Sequence, residues 1–201
     1  MKKIVVLLVI LLLVTGCSLK SMFIRENKVI EYLNGKHNIE IKVKDYGTIE
    51  LELDADTAPI TVTNFINLVN DKFYDGLTFH RIMEGFMIQG GDPDANGTGG
   101  SENTITGEFI ANGIPNDISH VRGVISMARA NDYNSASSQF FIMHADNTGL
   151  DSYYAAFGHV TSGMEVVDKI AEVTSEPESG FVDYERQPVI EYIRVIETDN
   201  E

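Results

Sequence analysis

Hydrophobic and polar positions first alternate at Ile39, Ile41 and Val43, and again at Ile49, Leu51 and Leu53 beyond a Tyr46-Gly47 turn. A period of two puts one side of an extended chain against a core, so this pair reads as a β-hairpin. The period then lengthens. Val62, Phe65, Ile66 and Val69 recur at helical spacing up to Asn70, and Asp56-Thr57 followed by Pro59 reads as the start of that helix. Short apolar runs follow at residues 77–83, 86–89, 124–128, 140–143 and 156–160, punctuated by glycines as turns and bulges require. A second helix is expected over residues 164–173, with Val166, Val167, Ile170 and Val173 on one face, and a closing strand over 189–196. Many short strands with two helices predict a closed β-barrel capped at its ends, in one domain without internal repeats.

The N-terminus follows a different pattern. It reads MKKIVVLLVILLLVTGC: two lysines, then an unbroken apolar run of eleven residues from Ile4 to Val14. That is short of the ~20 residues a membrane-spanning helix needs and suits the hydrophobic part of a secretory signal. Val14-Thr15-Gly16-Cys17 resembles the bacterial lipobox, in which the signal is cut before the cysteine and the cysteine carries lipid. The resemblance implies a signal peptide over residues 1–16, a lipidated polar tether over 17–38, a folded domain over 39–197 and an acidic tail over 198–201. It also implies lipid anchoring through Cys17 to the cell membrane, with the domain facing the extracytoplasmic side. A plain secreted protein or an uncleaved N-terminal anchor is the alternative.

Composition narrows the function. The chain has 201 residues, 43% hydrophobic and 22% charged, which is ordinary for a globular domain of sufficient size to bury a core. A single cysteine excludes an internal disulfide framework. Lys plus Arg is 15 against 30 Asp plus Glu, a net charge of −15, and removal of Lys2 and Lys3 with the signal would take it to −17. A nucleic-acid partner needs clustered cations, so this balance argues against one.

Several constellations invite a chemical reading. Gly90 to Gly100 reads GGDPDANGTGG, and Asp92, Asp94, Asn96 and Gly97 mimic the first half of a calcium loop. The twelfth position is Asn103 rather than a bidentate glutamate, so a glycine-shaped loop is the better reading. The five histidines, at 37, 80, 120, 144 and 159, form no zinc motif. Ser126, Ser137 or Ser138 could serve a Ser–His–Asp site, but no Gly-x-Ser-x-Gly elbow is present. The informative run is Phe79 to Asp92, FHRIMEGFMIQGGD, where Arg81 sits inside an apolar strand. A guanidinium there is costly unless it is partnered or faces a cleft. Gln139, Phe141 and Met143 share a face by alternation. A wall carrying Arg81, Gln89 and Gln139 beside Phe86, Met87 and Phe141 has the form of a ligand site. The alternative is a core arginine paired to Glu84 or Glu108.

The runs FHRIMEGFMIQGGDPDANGTGG, GVISMARANDYNSASSQFFI and LDSYYAAFGHV resemble the cyclophilin-type peptidyl-prolyl cis–trans isomerases, and the likeness extends over residues 39–196. The resemblance implies an eight-stranded antiparallel barrel with two capping helices. It implies catalytic roles for Arg81, Phe86 and Gln89, a proline pocket of Phe86, Met87, Phe141 and Leu150, and further substrate contacts at Ala128, Arg129, Gln139 and Tyr154. Substrates would be proline-containing polypeptides, with no metal or cofactor required. The chain departs from the family pattern at Gly149, where a tryptophan is common, at Tyr154, where a histidine is common, and at Arg129, where an asparagine is usual. The missing tryptophan implies weakened cyclosporin binding. These departures leave a second reading: a tethered module that holds proline segments, or acts as a chaperone, without turnover.

Overall fold

The computed structural model describes residues 31–173, 175–176 and 178–196. The signal segment, Cys17, most of the tether and the acidic tail lie outside them. Strands β1 (Lys36–Val43) and β2 (Gly47–Asp54) form the hairpin that the alternation predicts, with Ile39 opposite Leu51 and Ile41 opposite Ile49. All six alternating apolar side chains of the pair are fully buried. β1 begins at Lys36, three residues before the expected domain boundary.

Helix α1 (Pro59–Asn70) buries Val62, Phe65, Ile66 and Val69, with proline in its first turn. The residue at its N-cap is Ala58, which supplies no side-chain bond. Asp54 holds the preceding turn instead, accepting from the backbone N–H of Asp56 and Thr57 and from the Thr57 hydroxyl. The unsatisfied N–H groups of the first helical turn go to Glu108, a residue far along the chain. Its carboxylate accepts from the N–H of Ile60 at 3.0 Å and of Thr61 at 2.7 Å, and from the Thr61 hydroxyl at 2.6 Å. A buried carboxylate at a helix N-terminus meets both the orphan donors and the positive end of the helix dipole.

The remaining strands are β3 (Phe79–Met83), β4 (Met87–Gly90), β5 (Val124–Met127), β6 (Phe140–Met143), β7 (Ala156–Ser162) and β8 (Ile190–Ile196). Helix α2 (Met164–Ala171) buries Val166, Val167 and Ile170, and ends before Val173. All strand pairings are antiparallel, in the order β3-β4-β6-β5-β7-β2-β1-β8. The closed barrel predicted from the sequence is therefore not what forms. The architecture is an eight-stranded antiparallel half-barrel with two helices, and β3 and β8 are its edges. An isolated Thr78–Val189 bridge joins these edges, with the N–H of Phe79 donating to Pro188 and that of Ile190 to Leu77. Beyond Phe79 the chain of β3 is instead paired by residues 180–182. Ile82 N–H donates to Gly180, and Val182 N–H to the carbonyl of His80.

Two apolar clusters lie on opposite faces of this sheet. The larger contains Phe65, Tyr74, Phe79, Ile88, Phe140, Ile142 and Phe157. The smaller contains Met87, Val124, Phe141, Met143 and Ala156, with Phe86, Leu150 and Tyr154 packed against it. Adjacent residues in β4 and β6 thus serve different clusters, as the pleat dictates.

Candidate active site

Arg81 reaches the second face because of a bulge. The β3–β4 register places Phe79 opposite Gly90 but Arg81 opposite Gln89, with a shift between them. Phe79 packs in the main core, and the extra residue reverses the alternation so that Arg81 and Met83 face the smaller cluster. Bulges commonly re-aim a side chain in this way beside functional sites. The β3–β4 connection then presents Phe86. Gly85 takes φ 75° in that turn, and its N–H donates to Nδ1 of His144 at 2.9 Å.

A hollow of about 340 Å³ opens on this face. Arg81, Phe86, Met87, Gln89, Ala128, Arg129, Phe141, Leu150 and Tyr154 all line it, and Gln139 lines an adjoining hollow of about 330 Å³. Gln89, Ala128 and Arg129 border both. The structure therefore brings together every site residue read from the sequence within its described part. Phe181 and Gly97 also line the first hollow and were not anticipated. Phe181 is 37% exposed and shares an acidic stretch with Tyr184, and no local pattern marks it for the site. Its ring lies against Gly97, which has φ 89°. A Cβ on Gly97 would come within 2.8 Å of the ring.

The polar groups are wired in series. Arg81 donates through Nε to the Ser179 carbonyl at 2.8 Å and through Nη1 to Gln89 Oε1 at 3.3 Å. Gln89 Nε2 donates to Gln139 Oε1 at 2.8 Å, and Gln139 Nε2 donates to the carbonyls of Gly99 at 2.7 Å and Gly97 at 3.2 Å. Each amide is oriented by its neighbour, so the chain of donors runs one way. Glu108 is committed to α1, and among the described residues no carboxylate lies within 4 Å of the guanidinium. Arg81 is half-buried, and burial lowers its pKa from the ordinary value. The cation is thus held by neutral acceptors, which leaves its charge uncompensated at the edge of an apolar hollow.

The glycine loop is organised by Asp92, whose buried carboxylate accepts the N–H groups of Asp94, Asn96 and Gly97. Burial alone would raise its pKa, but these backbone donors outweigh burial and lower it. Asp92 is a turn-former here, and among the described residues no three His, Cys, Asp or Glu side chains group to hold a metal ion. Of the three serines considered, Ser126 does meet a histidine: its hydroxyl lies 3.0 Å from His120 Nε2, and His120 Nδ1 lies 2.8 Å from Asp151. Ser126 and His120 are fully buried, and the His120 ring stacks under Phe141 with centroids 6.0 Å apart. The trio supports the floor of the hollow.

Fold and site define a class: an antiparallel half-barrel protein with an aromatic- and methionine-lined hollow beside a guanidinium, on the face opposite its main core. Comparison with known proteins specifies it. Residues 38–198 match the cyclophilin type peptidyl-prolyl cis-trans isomerase/CLD family, and residues 1–18 match the prokaryotic membrane lipoprotein lipid attachment site. The chain is 42% identical over 149 residues to peptidyl-prolyl cis-trans isomerase A of Dickeya dadantii (strain 3937), covering 72% of this chain and 76% of that one. It is 46% identical over 123 residues to peptidyl-prolyl cis-trans isomerase B of Bacillus subtilis (strain 168), covering 61% and 82%. A cyclophilin type isomerase of Cryptosporidium parvum, solved in the presence of the dipeptide Ala-Pro, superposes with a TM-score of 0.71 at 28% identity, covering 80% of this chain and 99% of that one. This chain belongs to the cyclophilin-type peptidyl-prolyl cis-trans isomerase family, and it carries a lipoprotein attachment site at its N-terminus.

Proposed function

We propose that the hollow between Phe86, Met87, Phe141 and Leu150 takes the proline ring of a polypeptide, and that Arg81 catalyses rotation of the preceding peptide bond. The barrier to that rotation is ~18–20 kcal/mol because amide resonance gives the C–N bond double-bond character. In X–Pro the two planar forms are close in energy yet exchange over tens to hundreds of seconds. Rotation makes and breaks no covalent bond. It needs only that the twisted amide be bound better than either planar form. Twisting localises the lone pair on the proline nitrogen, and a guanidinium aimed there stabilises it. A gain of ~7 kcal/mol corresponds to about 10⁵-fold acceleration.

The observation that carries this reading is the arginine held by Ser179 and Gln89, uncompensated, on the rim of the hollow. Gln89 orients Arg81, Gln139 orients Gln89, and the backbone at Ala128 and Arg129 with the Tyr154 rim frames the adjoining peptide. The isomerase domain runs from the start of β1 at Lys36 through β8. Lipid on Cys17 tethers it at the extracytoplasmic face of the membrane, where its substrates are proline-containing segments of exported proteins. Gly149, beside Leu150 of the hollow, stands where the family resemblance puts a tryptophan, and the lack of that aromatic weakens cyclosporin binding. A protease-coupled isomerisation assay on the soluble domain, beside Arg81→Ala, tests the catalytic reading. Peptide binding without acceleration would identify a holding module instead.

A further inference from the structure

We infer that Arg129 is a positioning residue: its side chain clamps the Tyr154 wall of the hollow and so sets how tightly a ring is gripped there. The kinetic part of this inference rests on the isomerase reading; the geometric part does not.

Arg129 borders both hollows, yet its guanidinium is spent on the protein. Its central carbon lies 4.8 Å from the ring centre of Tyr154, 4.9 Å from that of Tyr133 and 5.2 Å from that of Phe109. Nε and Nη2 both donate to the Tyr153 carbonyl, at 3.0 and 2.9 Å, and Nη1 donates to the Ala130 carbonyl at 2.9 Å. Among the described residues no carboxylate lies within ion-pair distance of it. One cation therefore ties the segment at 153–154 to the loop at 130–133, through a planar fork and three aromatic faces.

The backbone on either side of Tyr154 is tied down, with Ala111 N–H donating to the Ser152 carbonyl, Tyr153 N–H to Leu150 and Met127 N–H to Ala155, so what Arg129 adds is a hold on the ring itself. Tyr153 is 50% exposed, so its own side chain does not anchor the segment. Tyr154 stands edge-on to Phe141, with centroids 5.8 Å apart and planes at 84°. Phe141 thus holds one side of the ring, and Arg129 holds another. A surface aromatic freed from such a contact samples rotamers on fast timescales. A bound ring would then have to order Tyr154 first. That cost falls equally on the planar and twisted amides, so it raises KM and leaves kcat largely untouched. Lysine cannot replace the clamp, because an ammonium has neither the bidentate fork nor the flat face for stacking.

The test uses 3-fluorotyrosine-labelled soluble domain, with the Tyr154 signal assigned by its loss in Tyr154→Phe. In Arg129→Ala, and to a lesser degree in Arg129→Lys, that signal should move and narrow. KM for an Ala-Pro peptide should rise about five-fold at nearly constant kcat, the equivalent of ~1 kcal/mol for one surface cation–π contact. An unmoved Tyr154 signal in Arg129→Ala overturns the inference, as does a loss confined to kcat. Should Arg129→Ala fail to fold, Arg129→Lys carries both readouts. A wild-type protein that does not isomerise, but whose Tyr154 signal still responds to the substitution, would remove the isomerase reading and leave the clamp standing.

Discussion

Replacing Arg81 separates charge from geometry. Its three guanidinium nitrogens are directed at the Ser179 carbonyl, the Gln89 amide oxygen and the Met83 sulfur, and the charge has no carboxylate beside it. Arg81→Ala removes a charge-assisted donor of ~1.5–3 kcal/mol from the twisted amide, equivalent to roughly ten- to a hundred-fold in kcat/KM. Half-exposure means solvent screens part of that gain, so the lower end, at least about ten-fold, is the firm expectation. Arg81→Lys keeps the charge but can satisfy only one of these directions, and should recover less than about a third of the lost activity. Stability should change little. Loss of the bond to Ser179 is worth ~1 kcal/mol, or ~2–4 °C in Tm for a domain of this size. The assay is protease-coupled isomerisation of an Ala-Pro peptide, with circular dichroism to verify folding. A folded Arg81→Ala protein with more than half of the wild-type kcat/KM would refute the assignment of Arg81 as the catalytic residue.

Three further outcomes follow from the same geometry. Phe140 meets Phe65, Tyr74 and Phe79 in edge-to-face contacts of 5.5, 5.6 and 6.1 Å, so Phe140→Ala should cost ~3–5 kcal/mol in a urea titration; Phe141→Ala, facing the hollow, should show its larger effect in kcat/KM. Burial lowers the pKa of both His80 and His120, in His120 against the pull of Asp151. The unfolded chain therefore takes up these protons first: stability is intact above about pH 6.5, falls as pH drops below it, and levels off once the folded pKa values are passed. Equal urea midpoints at pH 7.5 and 5.5 would contradict this, and the double change His80→Gln/His120→Gln should flatten the slope. Cys17→Ala should shift the full-length protein from the membrane fraction to the soluble fraction or leave the precursor uncut, read by fractionation and blotting; unchanged partition would rule out lipid anchoring.

Much of this molecule was legible from local pattern. Alternation located the β1–β2 hairpin, short apolar runs punctuated by glycines located the other strands, and helical spacing located the buried faces of α1 and α2, because these signals sit within a few residues of chain. The candidate site was legible for a different reason: Arg81 inside an apolar run is costly unless it finds a partner or a cleft, so it marked the strand for attention. What escaped depends on distant partners. Glu108 caps α1 from 48 residues beyond Ile60, and neither its own neighbourhood nor Ala58 at the cap announces it. Phe181 joins the hollow only because residues 180–182 pair along β3, which also diverts that edge from β8 and leaves the barrel open. Arg129 is expected from the sequence as a substrate contact; its side chain proves to be engaged with three rings from three loops.

The bulge between Phe79 and Arg81 has a consequence for how such a protein can diversify. From Arg81 onward, positions 81, 87, 89, 139 and 141 meet the ligand side, while 82, 88, 140 and 142 belong to the main core. Recognition and durability are thus written in alternate letters of the same strands. Substitutions in the first set can retune which peptides are accepted while the scaffold stays intact, and substitutions in the second are purged for what they do to folding. A one-residue insertion or deletion in β3 would exchange the two roles at once.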